Sequence, residues 1–130
     1  GTYHGRPMTE DAVFATARML AKLNEGPELA ALFAQNRNIL RSDEKLLARI
    51  ADVLQHADLP EGEVDVLGEM VSLAPLRPRL LQRLISAVVR IPDSADKARA
   101  LLALHAERFP TRTDFRARVE RSLDSLENQP

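Results

Sequence analysis

Two pairs of basic side chains are the residues of this 130-residue chain best placed to do chemistry. Lys45 and Arg49 stand four residues apart, Arg79 and Arg83 likewise, and 34 residues separate the pairs. A spacing of four puts two side chains on one helix face, one turn apart. Like charges so placed repel by roughly a few tenths of a kcal/mol in an isolated helix. Together they can hold a carboxylate or a phosphate. Arg90, beyond the second pair, is a further candidate partner contact. Fifteen of the 18 basic residues are Arg, whose planar fork favours bidentate contact with such anions over the point charge of Lys. An arginine-rich genome produces the same bias, and solvated faces with no partner account for the same pairs.

Other chemistry finds little support. The chain has no Cys, which removes thiol nucleophiles, cysteine-ligated metal and disulfide scaffolds. His4, His56 and His105 are far apart and none has a ligand-like spacing. His105 and Glu107 are two residues apart, so they face different sides of a helix, and His56 reads as a partner for the negative end of a helix dipole. With five glycines there is no phosphate loop and no nucleophile elbow. No pair of carboxylates lies in an apolar context suited to acid–base work. The expectation is a non-enzyme without metal or cofactor.

The elements that must position the basic pairs are helices. Hydrophobic residues make up 45% of the chain but aromatics only 4%. Ala and Leu supply most of the apolar content, and with Arg and Glu they favour helix. No stretch of strand length alternates convincingly between apolar and polar residues, and no run approaches the ~18 apolar residues of a membrane span. Punctuation residues divide the chain into about seven helices. Thr9 caps the first, to about residue 23; Pro27 starts the second, to about 40; Ser42 caps the third, to about 57. The fourth follows Pro60 and the fifth runs from about Pro78 to Ile91, where Pro92 ends it. Asp93 with Asp96, and Thr111 with Asp114, resemble capping boxes for the sixth and seventh. Residues 1–8 read as a disordered or tag-derived end, since the chain begins at Gly; an excised fragment and a native start at Met8 both fit.

The odd-numbered helices superpose at an offset of 34. Val13, Leu47, Leu81 and Phe115 form one column, Ala17, Ala51, Ile85 and Val119 a second, and Leu20, Leu54 and Val88 a third; Thr16, Ile50 and Leu84 add a mostly apolar fourth. Phe33 and Leu67 are 34 apart, while Leu67 and Leu102, like Pro75 and Pro110, are 35 apart. A period of this size with two helices per unit is the signature of an α-solenoid. The unit resembles, in degenerate form, the tetratricopeptide repeat. Ala98, Leu102 and Pro110 match that family's small, large apolar and unit-closing positions, and Ile50, Ala51, Leu54 and Pro75 match in the unit before. The family's Trp and Tyr are absent, Ile85 replaces a small residue, and Glu63 stands where the family prefers Ala. The expected fold is all-α: a short right-handed solenoid of three hairpins (about 9–41, 42–75 and 76–110) and a terminal helix (111–127), forming one domain over 9–127. A HEAT-like array and an irregular helical bundle remain open.

The resemblance implies a concave groove lined by the first helix of each unit. Carboxylate-clamp members of that family hold an acidic peptide or C-terminus there, which carries over to Lys45, Arg49, Arg79 and Arg83. The asparagines of such a clamp are missing; Asp52 and Ser86 stand one turn further on. Net charge is −1, concealing −4 over residues 1–65 and +3 over 66–130. The expected function is a cytoplasmic protein–protein interaction module that binds a peptide or helix of a protein partner. Head-to-tail self-association between the acidic and basic segments is a further expectation, and no membrane partner is expected. The alternative is nucleic-acid binding through Arg77, Arg79, Arg83, Arg90, Arg99, Arg108, Arg112, Arg116, Arg118 and Arg121. The calculated pI of 6.4 and the single Tyr and four Phe make it the weaker reading.

Overall fold

The hairpin turns show how local chemistry sets the architecture. In the computed structural model, which describes residues 8–128, three non-glycine residues have positive φ: Asn24 (56°), Asp58 (56°) and Asp93 (61°). Asn and Asp tolerate this left-handed region because their short polar side chains bond locally. Each lies between two helices. The helices in chain order are α1 (Glu10–Lys22), α2 (Gly26–Gln35), α3 (Arg37–Arg41), α4 (Glu44–His56), α5 (Pro60–Leu73), α6 (Pro78–Val89), α7 (Ala95–Arg108) and α8 (Thr113–Glu127). The described residues contain no strand, and no helix among them is long and apolar enough to cross a membrane.

After α1 and α4 the left-handed residue reverses the chain. The next amide then reaches back five residues, Glu25 N–H to the Leu20 carbonyl at 2.9 Å and Leu59 N–H to Leu54 at 3.0 Å, as in a Schellman cap. After α6 the equivalent position is Pro92, which can neither take positive φ nor donate. The chain inserts one residue, Asp93 takes the left-handed turn, and the Ser94 hydroxyl donates to the carbonyl of Val88 as well as that of Ile91. Val88 is the counterpart of Leu20 and Leu54. This insertion is why the spacing lengthens from 34 to 35. The Ser94→Ala variant is expected to lose about 1 kcal/mol of stability, the net worth of a typical hydrogen bond. Thermal denaturation should show it as a fall of about 4 °C in Tm.

Eight helices among the described residues replace the expected seven because the segment 27–40 breaks at Asn36. Its backbone leaves helical geometry (φ −118°, ψ 25°). Its buried side-chain amide donates to the Leu32 carbonyl at 2.9 Å, the competition with helical hydrogen bonding typical of Asn. The same nitrogen lies 3.7 Å from Met8 Sδ, and Met8 is buried. Residues 1–7 of the expected disordered end lie outside the described residues. Thr9 caps α1 as expected, accepting the Ala12 N–H at 3.2 Å. Ser42 does not cap α4: Asp43 accepts the Leu46 N–H at 3.0 Å, while Ser42 Oγ donates backwards to Ile39 at 2.9 Å. Nor do Asp93 and Thr111 cap, since Ser94 and Arg112 hold those positions without side-chain capping bonds.

The apolar columns form the core. Val13, Leu47 and Leu81 are fully buried, as are Leu54, Ile85 and Val88, with Ala17 and Ala51 nearly so; Leu20 and Phe115 are half-buried. α1 packs on α2 and α4, α2 on α5, α4 on α5, α5 on α6, α6 on α7 and α8, and α7 on α8. Gly62 allows α5 close to α4, since a Cβ there would lie 3.3 Å from Leu54 Cδ1.

Candidate functional site

α6 presents one face to a cavity of about 590 Å³ between α4 and α8. Ala87, Val89, Phe115 and Val119 supply its apolar lining, and four arginines, Arg79, Arg83, Arg90 and Arg118, stand around it. Gln55 and Gln82, with Ser86 and Ser122, add neutral polar groups; Glu63 is its one acidic lining residue among the described residues.

Three of the five candidate residues meet here, and they differ in how they are held. Arg83 Nη2 lies 3.3 Å from Asp52 Oδ1 and 3.3 Å from Gln55 Oε1, across the gap between α6 and α4. Arg90 donates to Glu63 Oε1 at 3.0 Å and also to Asp58. Both contacts hold its guanidinium charged, pushing its pKa further above the ordinary value, the bond to Asp58 most strongly. Arg79 is exposed, with no ion pair among the described residues. The other two candidates stay outside. Lys45 is exposed on α4 away from the lining, and Arg49 places Cζ 3.9 Å from the ring centroid of Phe14, a cation–π contact between α4 and α1.

The structure gives a physical reason why Glu63 departs from the expected 34-residue pattern. Its counterparts at offsets of 34 and 35 are Leu29 and Ala98, both buried, and Glu63 itself is 2% exposed. A carboxylate in a core column needs a partner, and Arg90 from the following hairpin supplies it. The periodicity identified the odd position but not its cation. Arg118, exposed like Arg79 and also without an ion pair among the described residues, was named only for nucleic acid and not among the five partner-binding candidates. Its signal was present in the fourth column, where Ile50 and Leu84 are buried and position 118 turns to Arg.

Most other arginines are occupied. Arg77 pairs with Glu44 at 3.7 Å, and Arg37 and Arg41 with Glu69, both at 3.4 Å. Arg99 spans from α7 to Glu120, Asp124 and Glu127 on α8 at 2.8–3.3 Å, contacts that raise its pKa. Arg108 and Arg116 donate to backbone carbonyls. His56 Nδ1 donates to the Asp52 carbonyl at 2.8 Å within its own helix. No group of three or more metal-ligating side chains occurs among the described residues. Burial raises the pKa of Asp65, against the lowering influence of Lys97 and Arg37, in a separate cavity of about 420 Å³ beside α2, α5 and α7. Compared with known proteins, the chain matches no family model, and no curated protein or solved structure resembles it significantly.

Proposed function

We propose that the chain is a non-catalytic protein–protein interaction module, a short α-solenoid of tetratricopeptide-like hairpins that holds an acidic peptide segment of a partner between α4, α6 and α8. The observation that carries this reading is the pair Arg79 and Arg118, without an ion pair among the described residues, on the rim of a cavity with an apolar lining. Fixed cations around an apolar surface select a ligand that brings both carboxylates and apolar side chains. Two features support the repeat architecture behind it. Left-handed turns recur at 24, 58 and 93, and residues 34 apart share their burial in α1, α4 and α6.

Nucleic-acid binding is the weaker reading because six of the ten arginines it needs are engaged. Arg77, Arg83, Arg90 and Arg99 face carboxylates, and Arg108 and Arg116 face carbonyls. A fluorescence-anisotropy titration of labelled peptides and single-stranded RNA at two salt concentrations separates the readings. The acidic–apolar peptide is expected to bind with a Kd on the order of micromolar and to retain part of its affinity at high salt. RNA binding that exceeds peptide binding at low salt and collapses steeply with added salt would reverse the conclusion.

A further inference from the structure

His105 is fully buried on α7, between the rings of Phe109 (centroids 5.5 Å apart) and Phe115 (5.4 Å). Its Nδ1 lies 2.9 Å from Arg116 Nη1 on α8. A guanidinium has only donors, so Nδ1 accepts and the ring proton sits on Nε2, which is buried without a partner among the described residues. Arg116 also donates to the carbonyls of Phe109 at 2.9 Å and Pro110 at 3.0 Å. One guanidinium thereby ties the end of α7 to the first turns of α8. α8 in turn supplies Phe115, Arg118 and Val119 to the cavity, and Phe115 touches both the imidazole and that cavity.

We infer that His105 and Arg116 form a proton-operated latch, which holds α8 as a wall of the groove when the imidazole is neutral and releases it when the imidazole is protonated. This rests on the groove reading for its consequence in binding but not for the latch itself. A proton on Nδ1 would set an N–H against the N–H of Arg116 at hydrogen-bond distance, and two positive charges would meet beside a fully buried ring. Among the described residues the charged groups acting on the ring are both cations, and Asp114, in the first turn of α8, is exposed. Arg112, in the loop before α8, is a second cation acting on the ring, and α6 buries only apolar residues. On α7 itself Glu107 is exposed, two residues along and on another face. Arg108 is turned to the Pro75 carbonyl, and the carboxylates of Glu120, Asp124 and Glu127 on α8 are held by Arg99. Burial first, then Arg116 and Arg112, push the imidazole pKa below its ordinary value. In the released form the ring meets water and takes up a proton near pH ~6.5. Above that pH both forms are neutral and the wall is stable. Below it the released form binds more protons, so the closed form loses roughly tenfold per pH unit until its own pKa is reached.

Amide hydrogen exchange on the full chain, corrected for intrinsic rates, tests the latch. Protection of α8 is expected to fall about tenfold between pH 7.5 and pH 5.5, with α4 and α5 unchanged. His105→Asn keeps an acceptor for Arg116 but cannot titrate, and should abolish the fall; His105→Leu, which fills the apolar site, serves if the Asn variant does not fold. Protection of α8 that ignores pH in the wild type, or falls equally in the variant, overturns the latch. Titration of the acidic–apolar peptide at both pH values then reads the consequence. Weaker binding at pH 5.5 in the wild type but not in the variant supports the coupling, and equal binding in the wild type overturns it. If no peptide binds at either pH while α8 protection still follows pH, the groove reading fails and the latch stands.

Discussion

Replacing Arg90 with Leu is expected to destabilise the protein by about 2–3 kcal/mol, far more than an arginine at a helix end ordinarily costs. The reason lies in Glu63, whose side chain is 3% exposed and bonds Arg90 at 3.0 Å. Removing one partner of a buried pair typically costs about 3–5 kcal/mol, because the other charge is left unpaired in an apolar site. Arg90 is itself 37% exposed, so water softens the penalty and places the expectation below that range. Arg83→Leu is the internal control. Its partner Asp52 is well exposed, and loss of such a surface pair costs below about 1 kcal/mol. The double variant Glu63→Leu/Arg90→Leu should recover most of the lost stability, since Leu29 occupies the equivalent position in the first hairpin and is buried there. Urea denaturation of the wild type, Glu63→Leu, Arg90→Leu and the double variant closes a double-mutant cycle, with Arg83→Leu measured alongside. An Arg90→Leu loss no greater than that of Arg83→Leu would show that Glu63 is satisfied without its cation.

The same pair marks the line between what the sequence reveals and what it conceals. Columns such as Val13, Leu47 and Leu81 were legible because burial of one helix face imposes a period on the sequence. All-helical folding followed from that period and from composition. The break at Asn36 was not legible, because it depends on a buried amide choosing the Leu32 carbonyl, and the same residue type also occurs on exposed helix faces. Cap positions slipped by one residue at Ser42 and Asp93 for a related reason: neighbouring Ser and Asp are both competent caps, and tertiary geometry chooses between them. At the groove, spacing marked Arg79 and Arg83 as equivalent to Lys45 and Arg49, but a helical offset carries no information about which carboxylates lie opposite. Asp52 from α4 takes Arg83, Glu63 and Asp58 take Arg90, and Phe14 takes Arg49. These are contacts across 27 to 35 residues of chain. The remaining charge is therefore smaller and more local than the +3 of the second half suggests.

That redistribution determines which substitutions test binding cleanly. Arg79→Glu with Arg118→Glu is expected to weaken an acidic–apolar peptide about a hundredfold while leaving thermal stability nearly unchanged. Each reversal turns an attraction into a repulsion at the rim. At ~5 Å and an effective dielectric of ~20 the bare interaction is about 3 kcal/mol, and screening at physiological salt leaves roughly 1.4 kcal/mol, or tenfold, per site. Stability is spared because both side chains are exposed and neither has an ion pair among the described residues to lose. Arg83→Glu would not separate the two effects, since it sets a carboxylate against Asp52 and would loosen α6 from α4 as well as alter the rim. Arg79→Lys with Arg118→Lys refines the result: retained affinity would mean the groove senses charge alone, whereas a loss would mean it grips a carboxylate through the planar fork of Arg. Calorimetric titration of the wild type and both double variants, with Tm measured on the same samples, distinguishes these outcomes. Unchanged affinity in the double Glu variant would remove the two arginines, and with them the acidic partner, from the function of this groove.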